Sequence, residues 1–162
     1  MRNSHALLLG LTMLVPTACH GQTKCPWINE ATARGILGGD VAVSVNLVDR
    51  GGGVCEFSRS LGKTALRLSV SVDIMTDTPA QFPKYLGQCP PKSAPLPAIG
   101  NEAVICTLNK GDQYMERVVG RVRDQAFVVS IRSSMADDPS MTQEMRRKKV
   151  NLVAEQVAGI LF

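Results

Sequence analysis

Apolar and polar residues alternate strictly in the first half of the chain, and this period of two predicts β-strands. Apolar side chains occupy every second position from Leu66 to Ile74, and polar side chains from Arg67 to Asp73 stand between them. Such a strand has one face in the core and one polar face, as in an antiparallel sheet that is covered on one side. The strands predicted in this half cover 40–48, 54–59 and 64–75.

Three more strands are predicted in the second half, after a stiff loop with four prolines between positions 90 and 97. Residues 103–109 are apolar on both sides, which is typical of a strand in the middle of a sheet. Residues 114–123 and 126–134 predict a hairpin around a two-residue turn at Asp124-Gln125.

Two short helices are predicted in the first half of the chain. The first covers 25–39, and Gly38-Gly39 supplies its C-terminal stop. The second begins at Thr78-Pro79, is short or kinked because of Pro83, and ends near Gly87. The face of the first helix that is predicted to be buried contains Ile28, Ala31, Gly35 and Ile36.

A third, amphipathic helix is predicted from Asp138-Pro139 to Phe162. Its basic start has two interpretations, a membrane-surface patch or simply the solvated side of the helix. The predicted buried stripe consists of Met145, Leu152, Val153, Val157, Ile160 and Leu161, and the predicted exposed side carries Arg146, Arg147 and Lys148.

Together these elements predict an α+β fold with a six-stranded, mostly antiparallel sheet packed against helices. The predicted order is α-β-β-β-α-β-β-α, which leaves out one of the three strands predicted in the second half. The chain shows no internal repeat and no linker long enough to separate two domains, so residues 22–162 are predicted to form a single domain.

The first residues have the pattern of an export signal. Arg2 precedes an apolar run over 6–15, which is too short to cross a bilayer as a helix. One interpretation is a signal peptide over 1–21, with a free protein that begins at Gln22. The other is a signal over 1–18, because Thr17-Ala18-Cys19 resembles the end of a bacterial lipobox, although Pro16 stands where Leu is usual. Cleavage before Cys19 leads to its lipidation.

Either cleavage places the mature protein outside the cytosol, in the periplasm or anchored to a membrane by lipid. No later segment has the apolar length of a transmembrane helix, so the mature chain is predicted to lack one.

Cysteine parity supports export. The sequence has five cysteines, and both cleavages remove Cys19 from the pool of free thiols. The remaining even number predicts two disulfides outside the cytosol, with three possible connectivities. We favour Cys25–Cys55 and Cys89–Cys106, because each pair joins the end of a helical segment to a nearby strand. No CxxC motif is present, and the only histidines are His5 and His20, so no metal site is predicted.

Pairing of the last hairpin collects arginines on one face of the sheet. With a turn at Asp124-Gln125, Arg123 lies opposite Ala126, Arg121 opposite Val128 and Arg117 opposite Arg132. One interpretation is a patch for an anion or an acidic partner, since guanidinium groups bind carboxylate and phosphate well. The alternative is a solvated face whose arginines pair with acids such as Glu116 or Asp73. The predicted patch consists of Arg117, Arg121, Arg123 and Arg132, with Ser130 among them.

Composition excludes several classes of function. Aromatic residues make up 4% of the chain and the net charge is only +4, so no nucleic-acid partner is predicted. Without further histidines there is no Ser-His-Asp or Cys-His system, and the glycines at 51–53 lead into a strand, not into the helix of a phosphate-binding loop. We therefore predict no catalytic residues and no cofactor.

Several short motifs stand out together: the Cys25-Pro26-Trp27 segment before Leu37-Gly38-Gly39, the Cys-x-Phe strand, the turn over 99–103, and the final hairpin and helix. In these motifs the chain resembles small exported bacterial lipoproteins of unknown function, similar to PsbP/Mog1-like single α+β sandwich domains. The resemblance implies a sheet covered by helices and a disulfide near the first helix, and it implies no activity. The expected function is that of a non-catalytic binding or interaction module of the cell envelope. The alternatives are a carrier of small anionic ligands and an enzyme with an unrecognised carboxylate or lysine site.

Overall fold

Seven strands and three α-helices make up residues 24–162, which are the part of the chain described by this computed structural model. The predicted signal peptide and Cys19 lie outside the described residues. The helices are α1 (Glu30–Leu37), α2 (Thr78–Leu86) and α3 (Gln143–Leu161). The strands are β1 (Ala42–Leu47), β2 (Gly53–Leu61), β3 (Thr64–Ile74), β4 (Ala94–Pro95), β5 (Glu102–Lys110), β6 (Gln113–Val122) and β7 (Gln125–Ser133).

The strands form one antiparallel sheet in the order β1-β2-β3-β7-β6-β5-β4. The α+β class is confirmed, whereas the predicted strand number and order are wrong. The sheet has seven strands, and four of them lie between α2 and α3, where the sequence predicts three. The additional strand, β4, is only two residues long and forms when Ala94 and Pro95 pair with β5. Two residues are too few to show the alternation of apolar and polar side chains that predicts a strand, so the sequence pattern does not reveal β4.

One face of the sheet, the covered face, packs against α1 and α3. Its buried side chains include Phe57 of β2, Leu68 and Val70 of β3, and Val129 and Ile131 of β7. The helices contribute Ile36, Leu37, Val150, Val153, Ala154 and Val157 to the same core. The covered face therefore contains the main hydrophobic core and fixes which side chains of each strand point the other way.

Among the residues that the structure describes, a helix covers the opposite face, the open face, only at its β5–β6 end. There Phe82 of α2 packs in a second cluster with Val119 and Ala126. The Cys89–Cys106 pair belongs to this cluster and joins the chain after α2 to β5. The polar side chains that β2 and β3 direct to this face remain partly exposed.

The predicted extent and stripe of the last helix are wrong. Thr142 caps α3 by accepting a hydrogen bond from the backbone N–H of Met145, so the helix begins at Gln143 rather than at Asp138. Arg146 is buried, and one of its Nη atoms donates to the carbonyl oxygen of Met141 at 2.6 Å. A hydropathy pattern assigns every charged residue to the surface, so it could not identify a buried helix face that contains Arg146. The residues predicted to be buried that are in fact exposed are Met145, Leu152 and Ile160.

The phase of α1 also differs from the prediction. The side chain of Asn29 accepts a hydrogen bond from the N–H of Thr32, so the helix begins at Glu30 and not at position 25. Ile28 is buried but precedes the helix. The predicted buried face is counted in helical steps from Ile28, and it is therefore rotated away from the true buried face. Ala31 and Gly35 are exposed, while the buried residues of α1 are Ala33, Ile36 and Leu37.

The hairpin of β6 and β7 turns one residue earlier than predicted. Val122 pairs with Gln125, so the turn is Arg123-Asp124. Arg123 has a φ of 54°, and its N–H donates to the side-chain oxygen of Asn101 at 2.6 Å, a distant contact that supports this conformation. The register is therefore shifted by two residues, and Arg117 lies opposite Ser130. Since the shift is even, no side chain changes face.

Candidate anion-binding site

Polar side chains cross the open face of the sheet in register. Strand pairing places Glu56 of β2 beside Ser69 of β3, Ser69 beside Ser130 of β7, and Ser130 beside Arg117 of β6. In the neighbouring row, Arg67 of β3 lies opposite Arg132 of β7. We call this group the arginine shelf: Arg67, Arg117, Arg132, Ser69, Ser71 and Ser130.

The arginine shelf borders a cavity of about 170 Å³. Glu56, Gln88 and Val128 complete its lining. The three serines present hydroxyl groups, and the three arginines present guanidinium groups, so most polar atoms around the cavity are hydrogen-bond donors or can act as donors. Such a lining suits an acceptor-rich, negatively charged group.

Arg117 is held in place by the end of α2. One of its Nη atoms donates to the side-chain oxygen of Gln88 at 3.3 Å and to the Gln88 carbonyl at 3.4 Å. Cys106 lies opposite Arg117 on β5 and forms the disulfide with Cys89, the residue after Gln88. The disulfide therefore fixes the segment that forms one wall of the cavity.

The electrostatics of the shelf leave positive charge uncompensated. Burial lowers the pKa of Arg117 below its usual value, and the nearby positive charge of Arg132 lowers it further. The Nε atoms of Arg117 and Arg132 are buried and have no hydrogen-bond partner within residues 24–162. Glu56 is the only carboxylate among the lining residues that the structure describes, and it lies 3.6 Å from an Nη atom of Arg67. An anion bound in the cavity would supply negative charge and hydrogen-bond acceptors to these guanidinium groups.

Two of the four predicted patch residues lie in the shelf, and two lie outside it. Arg117 and Arg132 line the cavity, together with Ser130. Arg121 is on the same face, but its Nε lies 3.5 Å from Glu102 and its guanidinium carbon lies 5.6 Å from the centre of the Phe82 ring. Arg123 occupies the turn and is not part of the face.

Arg67 is a shelf residue that sequence reasoning missed. It stands at a polar position of the clearest strand, β3, but its neighbour Arg132 belongs to β7, which is far along the chain. The alternation in β3 predicts that Arg67 points away from the core. Nothing in the local pattern predicts that β3 and β7 are adjacent.

The acids suggested as partners of the hairpin arginines have other contacts. Glu116 is completely buried on the covered face, where Thr107 donates to its two carboxylate oxygens at 2.8 and 3.0 Å. Asp73 accepts a hydrogen bond from the hydroxyl of Tyr85 at 3.3 Å. Burial, reinforced by the negative charge of Asp73, raises the pKa of Tyr85. Neither acid neutralises the arginine shelf.

The basic start of α3 does not form a continuous exposed patch. Arg146 is buried, and Arg147 lies 3.5 Å from the carboxylate of Glu116. The ammonium group of Lys149 donates to the carbonyl of Ile36 at 2.6 Å. Of the basic residues at 146–149, Lys148 is exposed, Arg146 is buried and the other two are partly buried. These side chains thus mainly connect α3 to the rest of the fold.

Both favoured cysteine pairs lie at disulfide distance. The Cα atoms are 5.9 Å apart in Cys25–Cys55 and 5.8 Å apart in Cys89–Cys106. Structural disulfides persist mainly in oxidising compartments, so these pairs favour a location outside the cytosol. Within residues 24–162, no helix combines the length and the apolar character that crossing a membrane requires.

Comparisons with known proteins provide no relative for this chain. No family model, curated protein or solved structure gives a significant match. In the part of the chain that the structure describes, no group of three or more His, Cys, Asp or Glu is placed to hold a metal ion. The functional argument therefore starts from the geometry of the arginine shelf.

Proposed function

We propose that this protein is an exported, non-catalytic binding module of the cell envelope that recognises an anionic group at the arginine shelf. The observation that carries the proposal is the pair of buried Nε atoms of Arg117 and Arg132, which find no acceptor among residues 24–162 and belong to neighbouring guanidinium groups. A buried donor without a partner costs about 1–3 kcal/mol, and more when it is charged. A ligand that accepts these hydrogen bonds offsets this cost.

The size of the cavity supports a small anionic group as the ligand. Its volume of about 170 Å³ is below the range of about 300–1,000 Å³ that is typical of pockets for whole drug-sized ligands. A phosphate or carboxylate group fits this space. The recognised anion is then either a small free ion or an anionic group on a larger partner, which unites the binding-module and anion-carrier hypotheses.

The proposal is tested by titrating the purified, processed protein with inorganic phosphate and, separately, with acetate. Binding is followed by the NMR amide shifts of Ser69 and Ser130. Arg132→Gln and Arg117→Gln each remove a charge-assisted interaction worth about 1.5–3 kcal/mol, so each is expected to weaken binding about tenfold or more. Arg121→Gln is the matched control, because this arginine shares the face but not the cavity.

Two results would contradict the proposal. One is a wild-type protein whose shelf amides do not respond to either anion. The other is an equal loss of affinity in Arg121→Gln and Arg132→Gln, which would indicate a general charge effect and not a site. Far-UV circular dichroism of each variant checks that the fold is retained.

The proposed export is tested on the native N-terminus. Mass spectrometry of protein from its own host is expected to give either a chain that begins at Gln22 or a lipidated chain that begins at Cys19. The mass is also expected to increase on reduction by the hydrogens of two disulfides. A native chain that retains residues 1–18, or that contains free thiols before reduction, would contradict export.

A further inference from the structure

Within residues 24–162, the outer edge of β1 lacks the features that usually protect the edge of a sheet. Strands at edges commonly carry charges or proline, are very short, or lie under another element, because their unpaired backbone groups attract other strands. The sequence of β1 is AVSVNL, which contains no charged residue, proline or glycine. The other edge strand, β4, is protected, because it has two residues and one of them is Pro95. β1 is therefore suited to pairing.

The apolar side chains of β1 lie on the covered-face side and are only partly covered. Val43 and Leu47 are 40% and 41% exposed, and Val45 between them is half-buried. Together with the start of α1, this strand borders a groove of about 500 Å³. The apolar groove residues include Ile28, Ala31, Val43, Val45 and Phe57. An apolar strip beside an unprotected strand edge is typical of a surface that pairs with another strand.

We propose that β1 pairs in antiparallel fashion with β1 of a second copy of this chain. The strand is self-complementary when the pairing is centred on Val45. In this register Val45 faces Val45 of the other copy, and Val43 faces Leu47, so apolar side chains meet on one face of the joined sheet. β1 contains no charged residue, so no like charges oppose each other within the paired strands.

Symmetry explains why such pairing stops at two copies. A two-fold axis through the Val45 pair uses the same edge of both chains, so neither β1 edge remains free. The outer edge of each copy then consists of β4, which has two residues including Pro95, and of the part of β5 that β4 leaves unpaired. The expected product is a closed dimer and not a fibre.

The first experiment measures the oligomeric state of the full, processed chain by analytical ultracentrifugation across a range of concentrations. The wild-type protein is expected to show a monomer–dimer equilibrium. Val45→Lys places two ammonium groups across the two-fold axis and is expected to raise the dimer dissociation constant about 100-fold or more. Leu152→Lys is the matched control, because Leu152 is 57% exposed on α3, away from β1, and its variant is expected to dimerise like the wild type.

The second experiment tests the register and does not depend on the folding of Val45→Lys. The N–H of Val48 donates to the carbonyl of Gly52, just before β2, so strand alternation points the backbone groups of Val45 towards the free edge and makes the Val45 pair a hydrogen-bonded one. Directly opposed Cα atoms in such a pair lie about 5.5 Å apart, which is within the range for a disulfide. Val45→Cys is therefore expected to form a covalent dimer under mild oxidation. Val54→Cys, an exposed valine on the open face of β2, is expected to remain monomeric on the same non-reducing gel.

The proposal fails if the wild-type chain is monomeric up to about millimolar concentration, a range in which weak pairing becomes visible. In that case the partner that pairs with the β1 edge would be an extended segment of a different protein. It also fails if Val45→Lys dimerises like Leu152→Lys, or if Val54→Cys cross-links as readily as Val45→Cys. None of these outcomes depends on anion binding at the arginine shelf.

Discussion

Gly120 allows β6 to lie close to a buried ring on the covered face. A Cβ atom at this position would overlap Cζ of Phe127 and lie 2.9 Å from Cε1 of the same ring. Phe127 is completely buried and cannot move into solvent. We expect Gly120→Ala to lower the free energy of unfolding by about 1–3 kcal/mol, as overpacking of a core does. Urea denaturation measures this change.

Gly35 provides the matched control for this substitution. It lies on the exposed side of α1, and an added Cβ would meet no atom within 4 Å. Alanine is favoured over glycine within a helix by about 0.5–1 kcal/mol, so Gly35→Ala is expected to stabilise the protein. A destabilisation of similar size in both variants would contradict the explanation by the Phe127 ring.

Glu116 is a second single residue with a large expected effect. Its completely buried carboxylate accepts two contacts from the Thr107 hydroxyl and lies 3.5 Å from Arg147. Desolvation lowers the pKa of buried Arg146, and the charge of Glu116 is the largest influence that opposes this decrease. Neutralising Glu116 therefore removes the negative charge that compensates these two arginines.

We expect Glu116→Gln to lower the free energy of unfolding by about 1–3 kcal/mol, allowing for the partial exposure of Arg147. The measurement is again urea denaturation. Combining it with Arg147→Gln tests the mechanism, because the double variant should lose less than the sum of the two single losses. Simple additivity would show that the Arg147 contact contributes nothing.

At the scale of elements, the two disulfides have different functional consequences. Cys25–Cys55 joins the chain before α1 to β2, whereas Cys89–Cys106 holds the segment that contains Gln88 beside Arg117. Their sequence separations of 30 and 17 residues predict similar stabilisation, about 3–4 kcal/mol each in the loop-entropy view. Of these two disulfides, only the second supports the cavity that we propose as the anion site.

Replacing both cysteines of each pair by alanine separates these two effects. Both variants are expected to lose similar stability in urea denaturation. Only Cys89→Ala/Cys106→Ala should also weaken phosphate binding, by about tenfold, since the Gln88 wall is no longer fixed. Unchanged phosphate affinity in this variant, with the protein still folded, would contradict the role assigned to the disulfide.

The hairpin of β6 and β7 illustrates how much of the site could be predicted. Alternation assigns Arg117 and Arg132 to the same face, and this assignment is correct because the face depends only on odd or even position. The register depends on the turn, and Asn101 stabilises an earlier turn through a contact that is distant in sequence. The pairing of β3 with β7, which adds Arg67, is equally non-local.

The last helix shows a different limit. Its true buried face contains Arg146, whose charge is acceptable there because Glu116 and Asp138 are close by. Those acids come from β6 and from the loop before α3, so the chain pattern alone cannot reveal the compensation. An apolar stripe drawn through Met145, Leu152 and Ile160 therefore falls on the solvent side.

At the scale of the whole molecule, the two proposals together define how two arginine shelves are arranged. Pairing of β1 with its counterpart keeps the open faces of both copies on the same side of the joined sheet. The shelf is centred on β3 and β7, the third and fourth strands from the β1 edge. With a spacing of about 4.8 Å between strands, the two shelves lie roughly 30 Å apart.

This spacing predicts avidity for a bivalent anion. A probe that carries two phosphate groups on a flexible linker with a reach of about 30 Å is expected to bind the dimer about 100-fold more tightly than a monovalent phosphate probe. A probe whose linker reaches only about 15 Å cannot span the two shelves and should show no gain. Isothermal titration calorimetry compares the three probes.

In Val45→Lys, the affinity for the monovalent probe should be retained while the gain from the long linker is lost, because the second shelf is no longer held at a fixed distance. Equal gains in the wild type and in Val45→Lys would show that the two shelves do not act together through β1.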